Sequence, residues 1–175
     1  MKKQDISENQ VNNVYLALGS NLGDRIKNLE LAKSLINSKN INILKISQFY
    51  KTESWPNKSF PYYINFVILI NTKLNLKKLF REIKIIEKLV GRIKAPKNYP
   101  RVCDIDIIDF NGINFLTKYK NNKIIVPHKD MHKRSFVLLP LYELNKNWTH
   151  PKYKKNIVNL MTNLSNLDLR SINLI

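Results

Sequence analysis

Apolar and polar positions along this chain switch repeatedly between a strand-like and a helix-like period. Val14-Tyr15-Leu16-Ala17-Leu18 is a short apolar run closed by Gly19, which predicts a buried strand. Gly19-Ser20-Asn21-Leu22-Gly23 reads as a turn, and Asp24 as the cap of a helix carrying Ile26, Leu29, Ala32, Leu35 and Ile36. Residues 41–51 read as one long strand. Residues 52–60 form a loop with Pro56 inside it and Pro61 just beyond. Residues 63–72 are apolar on both faces and predict a central strand. Asn75 caps a helix to about Val90, with Leu76, Leu79, Phe80, Ile83, Ile86 and Val90 on one stripe, and Gly91 stops it.

The second half begins with a basic loop over residues 93–102, followed by a strand over residues 102–110. Asn111-Gly112 is a hairpin-turn signal. Residues 113–116 and 123–126 are short strand candidates. Residues 127–134 are a polar loop, residues 135–144 an apolar helix, and residues 157–164 a weak amphipathic helix. Strand, helix, strand, strand, helix, strand and then a hairpin is the βαββαβ order of a ferredoxin-like α+β domain, with a mostly antiparallel sheet and helices packed on it. Residues 1–12 read as a loose polar tail, and all 175 residues as a single domain.

Composition narrows the function. The longest apolar run, Phe66-Val67-Ile68-Leu69-Ile70, is too short to span a bilayer, and no secretory leader pattern is visible. One cysteine, Cys103, excludes an internal disulfide and a cysteine-cluster metal site, so a reducing, cytoplasmic setting is expected. The formal net charge of +17 favours anionic partners. Yet 24 Lys, 24 Asn and 22 Ile suggest a codon bias toward these residues, and the lysines are scattered. The six arginines carry more information, Arg92, Arg101 and Arg134 above all.

The candidate chemistry centres on Asp104-Ile105-Asp106. In a strand these two carboxylates point the same way, about 7 Å apart. Such a pair repels itself unless a divalent cation or basic side chains neutralise it. Mg²⁺ suits a few carboxylates, water and substrate phosphates. The alternative is a polar strand face paired with Lys or Arg. Asp109 is expected on the opposite face, near the turn, in a structural role. Glu87 falls in the middle of the apolar stripe, where a carboxylate needs either a partner such as Arg92 or a function. Arg92, Lys94, Lys97 and Arg101 share the loop before the acids, and His128, Lys129, Lys133 and Arg134 share another. Acids that hold metal, beside arginine forks, point to transfer of a phosphate-bearing group. His128 and His132 lack a third partner for zinc, and His150 reads as a surface residue. P-loop, protein-kinase and G-x-G-x-x-G signatures are absent.

Four stretches, in order and at matching spacing, resemble the 6-hydroxymethyl-7,8-dihydropterin pyrophosphokinase family of folate biosynthesis. They are Tyr15-Leu16-Ala17-Leu18-Gly19-Ser20-Asn21-Leu22-Gly23-Asp24-Arg25; Ser47-Gln48-Phe49-Tyr50-Lys51-Thr52; Pro100-Arg101 with Asp104-Ile105-Asp106-Ile107; and Val126-Pro127-His128 with Met131, Arg134, Ser135-Phe136-Val137-Leu138 and Pro140-Leu141. The resemblance implies Mg²⁺-dependent pyrophosphate transfer from ATP to the pterin hydroxymethyl group. It implies that Asp104 and Asp106 hold two Mg²⁺ and that Arg92 and Arg101 are catalytic-loop arginines. Glu87, Ile107, Lys123, His128 and Arg134 match nucleotide-side positions, and Thr52, Tyr63, Asn65 and Phe136 pterin-side positions. It further implies a monomer acting on small molecules, not on nucleic acid or membrane.

The chain departs from the family pattern at Thr52-Glu53-Ser54-Trp55-Pro56, at Asn98 where some members have Trp, and at Lys129 where others have an aromatic residue. Residues 145–175 match poorly. A basic ferredoxin-like RNA-binding domain is the alternative, because RNA recognition motifs share the topology and expose aromatics on their sheet.

Overall fold

The computed structural model describes residues 10–39, 41–54, 57–96, 98–165, 169 and 171–175. The tail up to residue 9, Trp55-Pro56 and Lys97 lie outside them. Strand β1 (Asn12–Ser20) leads into α1 (Arg25–Asn37), whose first turn is capped by Asp24 accepting from the Lys27 N–H. Then follow β2 (Ile41–Ile46), β3 (Tyr50–Thr52), β4 (Tyr63–Thr72) and α2 (Leu76–Val90), the last capped by Asn75. Next come β5 (Asp104–Phe110) and the hairpin β6 (Phe115–Tyr119) and β7 (Asn122–Val126). After a 3-10 turn at Met131–Lys133, α3 (Ser135–Leu144), α4 (Ile157–Met161) and β8 (Ile172–Leu174) complete the order.

The main sheet runs β5-β1-β4-β3-β8, with β2 also paired to β4, and every pairing is antiparallel. The β5-β1-β4-β2/β3 core is the ferredoxin-like order expected from the pattern, and β4 is central as its two apolar faces require. Leu29, Ala32 and Ile36 of α1 and Leu79, Ile83 and Ile86 of α2 bury one face, against Val14, Leu16, Phe66, Ile68 and Ile105. Val137, Leu138 and Leu141 of α3, Ile157 and Leu160 of α4, and Trp148 cover Val67 and Ile108 on the other. Both faces of the sheet are therefore packed. An RNA recognition motif needs one face bare for stacked bases, so the alternative RNA-binding reading finds no support in this architecture.

Several boundaries differ from the sequence pattern. The stretch over residues 41–51 is two strands, broken at Ser47-Gln48-Phe49, where Glu143 accepts the Gln48 N–H through both carboxylate oxygens. β1 starts at Asn12, inside the stretch read as tail, because the Asn12 amide donates to the Leu74 carbonyl. Asn111 and Gly112 are both left-handed but do not join β5 to β6; among the described residues β6 pairs with β7. A bulge in β5 shifts the register so that Asp106 faces Ala17, Ile107 faces Leu16, and Asp109 faces Tyr15. The extra residue puts Asp109 on the same face as Asp104 and Asp106, not the opposite one. The poorly matching C-terminal stretch also folds onto the sheet, through Trp148, α4 and β8. His150 is only 2% exposed, packed between Trp148 and Tyr153, so it is a core residue and not a surface one. No helix among the described residues is long and apolar enough to cross a membrane.

Candidate active site

The candidate site lies where β1 ends and β5 begins. Register aligns Asp104 with Gly19 on β1, and Gly19 with Asn65 on β4. Directly opposed residues share a face, so an acid, a glycine and an amide form one row across three strands. Asp106 occupies the next row, opposite Ala17, on the same face as Asp104. Gly19 leaves room for that row: a Cβ on it would lie 2.6 Å from the Asn65 Oδ1 and would displace the amide. The amide nitrogen of Asn65 donates to Thr52 Oγ1 at 2.8 Å, which fixes its orientation. Thr52 pairs with Tyr63 in the β3–β4 register, so Thr52, Tyr63 and Asn65 meet at one end of the row.

The other end of the row is charged. Gly91 ends α2 in a left-handed conformation, and the Arg92 N–H folds back onto the Glu87 carbonyl at 3.0 Å. This turn aims the Arg92 guanidinium at Asp104 Oδ1, 2.6 Å away, and also at Glu87 Oε1. Arg101 NH1 reaches Asp104 Oδ2 at 2.8 Å. Asp106 is held more loosely, by Arg134 at 3.3 Å and His128 Nε2 at 3.8 Å. Glu87, almost wholly buried, receives Lys84 Nζ at 2.8 Å and the Ile105 N–H at 2.8 Å. It ties α2, the arginine loop and β5 together, so the ion-pair reading of Glu87 is met, with Lys84 as a partner the sequence did not single out.

Burial alone would raise the Asp104 carboxyl, but Arg101, Arg92 and Lys84 hold it below the usual carboxylate range, so it is ionised. Burial pushes Glu87 up, against Lys84 and Arg92. Burial lowers His128, with Asp106 opposing, and leaves the imidazole neutral near pH 7. Burial and the neighbouring Asp104 raise the Tyr63 phenol. Cys103 is pushed up to about 12 by burial and the nearby acids, which makes it inert.

Asp104 and Asp106 remain 23% and 32% exposed. Among the described residues no group of three or more His, Cys, Asp or Glu could cage a metal. An ion on this pair must draw the rest of its shell from water or phosphate. Hard oxygen donors in so small a number fit Mg²⁺.

Phe136, half-buried on α3, lies beside Arg134, 5.6 Å from the guanidinium carbon. Ile107 is buried on β5. Lys123 is exposed on β7, opposite Lys118, and is not brought to the acids. Asn21, which the sequence showed only as a turn residue, is fully buried and touches two loops of the site. Its signal was a polar residue flanked by two glycines after a buried strand.

Residues 15–146 match the profile of the family described as 7,8-dihydro-6-hydroxymethylpterin-pyrophosphokinase (HPPK). The chain is 38% identical over 142 residues to the 2-amino-4-hydroxy-6-hydroxymethyldihydropteridine pyrophosphokinase of Aquifex aeolicus, covering 81% of this chain and 86% of that protein. It is 34% identical over 168 residues to the folic acid synthesis protein fol1 of Pneumocystis carinii, covering 95% of this chain but only 22% of that protein. The chain thus spans about a fifth of the length of its fungal relatives. A crystal structure of Plasmodium falciparum HPPK-DHPS superposes with a TM-score of 0.75 at 16% identity, over 97% of this chain and 48% of that one, which shows the shared fold. With both acids, the arginine loop and the Thr52–Asn65 pair inside the matched span, the chain belongs to the HPPK family.

Proposed function

We propose that this chain transfers the pyrophosphate group of ATP to the hydroxymethyl group of 6-hydroxymethyl-7,8-dihydropterin, giving AMP and the pterin diphosphate, a step of tetrahydrofolate biosynthesis. The observation that carries the reading is the row of Asp104, Gly19 and Asn65. It sets a carboxylate suited to a metal-bound polyphosphate and an oriented amide suited to a heterocycle on one face, with a residue that carries no side chain between them. The names of the bacterial relatives support the same reaction.

In this reading the pterin ring lies against Tyr63 and Phe136. Asn65, its nitrogen held by Thr52, offers its carbonyl oxygen to the ring's N–H groups. Asp104 and Asp106 would hold two Mg²⁺, which when bound would supply positive charge to neutralise the polyphosphate at the reacting phosphorus. His128 and Arg134 contact the triphosphate beside Asp106, Glu87 and Ile107 support the nucleotide side from within the core, and Lys123 borders it from β7, away from the acids. The hydroxymethyl oxygen forms a bond to the β-phosphorus and gives its proton to solvent, while the bond from that phosphorus to the α,β-bridging oxygen breaks and this oxygen leaves on AMP. Arg92 and Arg101 already rest on Asp104 and can exchange that carboxylate for phosphate oxygens without unfolding the loop. The proposed setting is a monomer in a reducing cytoplasm.

Incubation with ATP, Mg²⁺ and the hydroxymethyl-dihydropterin, followed by chromatography of the nucleotides, tests this. AMP formed in step with the pterin diphosphate is expected. ADP, or no pterin-dependent turnover, contradicts it.

A further inference from the structure

His128 and Arg134, the two side chains that hold Asp106, sit at either end of one short segment, and the 3-10 turn at Met131–Lys133 joins them. The Met131 N–H donates to the His128 carbonyl and the Arg134 N–H to the Met131 carbonyl, both at 3.1 Å. The backbone of this turn therefore sets where both side chains start. Met131 anchors it in the core beneath α3. His132, in the middle of the turn, is held in another way. Its Nδ1 is buried and finds no hydrogen-bond partner among the described residues. The ring packs instead on two other rings. Tyr153 lies 4.9 Å away between centroids at an interplanar angle of 70°, and His150 lies 6.1 Å away at 84°. Edge-to-face arrangements of this kind are favourable for aromatic rings.

Both partner rings come from a turn over residues 148–155, beyond the span 15–146 that matches the family profile. His150 builds that turn around itself. Its Nδ1 accepts the Lys152 and Tyr153 N–H groups at 3.2 and 3.4 Å, its own N–H donates to the Lys155 carbonyl at 2.9 Å, and the Lys154 N–H donates to its carbonyl at 2.8 Å. His150 is buried, and Tyr153 lies on it with centroids 4.5 Å apart. Burial lowers both His132 and His150, so neither imidazole is charged near pH 7 and the three rings pack as neutral aromatics. A cleft of about 400 Å³ beside this packing is walled by His128 and Lys129 from the segment and by His150, Lys152 and Tyr153 from the turn. The turn thus reaches the same space as His128. We propose that His132, His150 and Tyr153 are positioning residues, through which the turn of residues 148–155 braces the 3-10 turn and sets His128 and Arg134 against Asp106. They act only through those two side chains, which the proposed function assigns to the triphosphate, so the effect on nucleotide binding rests on that reading.

Amide hydrogen exchange on the full chain reads the brace without any ligand. Tyr153 is the residue to change, because its side chain is exposed on the outside whereas His150 belongs to the core. In Tyr153→Ala, the Met131 and Arg134 N–H groups, in a segment that was not altered, should exchange about fivefold faster, while the amides of β4 keep their rates. Tyr153→Phe, which keeps the ring, should restore protection. The Tyr153→Ala/His132→Ala double variant should exchange no faster than the faster single one. Unchanged exchange at Met131 and Arg134, additive effects in the double variant, or an acceleration shared equally by β4 would overturn the brace.

Calorimetry with Mg²⁺ and a non-hydrolysable ATP analogue reads the consequence. Tyr153→Ala should bind the analogue about fivefold more weakly than wild type, and Tyr153→Phe should bind it as wild type does. The loss should shrink when His128→Ala is already present. Unchanged affinity in Tyr153→Ala, or a full loss added to that of His128→Ala, would contradict positioning through the segment. If the wild-type chain does not bind the analogue, the nucleotide reading fails, while the exchange experiment still decides whether the turn braces His128 and Arg134.

Discussion

Asp104 and Asp109 stand on the same strand and the same face, and their surroundings differ in kind. Asp109 is 3% exposed and accepts from neutral donors, Trp148 Nε1 at 2.7 Å, the Gly112 N–H at 2.9 Å and the Phe110 backbone. Burial raises its carboxyl, against those hydrogen bonds. Asp104 keeps about a quarter of its side chain open and accepts from two arginines, which hold it ionised despite its burial. The Asp109 donors are fixed by the core and cannot turn to another acceptor. The Asp104 donors sit on a loop and end in guanidinium forks that match a phosphate as well as a carboxylate. A carboxylate closed off by neutral donors is a structural joint. One held open among cations is prepared for exchange with another anion or a metal.

The largest expected effect breaks the charged end alone. Asp106→Ala should reduce AMP formation by about a thousandfold or more, while circular dichroism and the thermal midpoint stay near wild type, because the ion pairs it removes, to Arg134 at 3.3 Å and His128 at 3.8 Å, are long and partly exposed. Undiminished turnover would refute the assignment of this end. Arg101→Ala should follow. Its turnover should fall by about a hundredfold, and its affinity for ATP, read by calorimetry, by much less. Equal losses would reduce Arg101 to simple phosphate binding.

The neutral end should respond in stability and not in chemistry. Trp148→Phe leaves a buried Asp109 oxygen without its donor and should cost about 2 kcal/mol in urea unfolding, with kcat of the folded fraction unchanged. A further effect concerns pH. Burial, His132 and Lys152 lower His150 from 6.5 to about 4. The unfolded chain binds a proton there first, so the contribution of neutral His150 is complete above pH 6.5 and is lost as pH falls toward 4. Urea midpoints at descending pH should show this decline, and His150→Gln should flatten it.

Much of the same contrast was legible in the sequence, though unevenly. The strand and helix periods gave the βαββαβ core, the caps at Asp24 and Asn75, and the common face of Asp104 and Asp106. Glu87 stood out as a carboxylate on an apolar stripe, and it is buried as that position requires. Asp109 was misplaced because a one-residue bulge reverses every later face, and bulges arise from register with a distant strand. His150 was misread because its burial depends on Trp148 and Tyr153, in a stretch without helical or strand periodicity. β8 pairs with β3 across more than a hundred residues, which no local window contains. Asn21 was visible only as a turn residue, since its partners, Pro61 and Arg101, lie 40 and 80 residues away.

The claim beneath the proposed reaction is that Asp104 and Asp106 hold the divalent ions that carry the triphosphate. Counting bound Mn²⁺ by electron paramagnetic resonance, with a non-hydrolysable ATP analogue present, tests it most directly. The account predicts about two ions per wild-type chain and a loss of both in the Asp104→Asn/Asp106→Asn double variant, with Asp109→Asn unaffected. Unchanged Mn²⁺ occupancy in the double variant would contradict it.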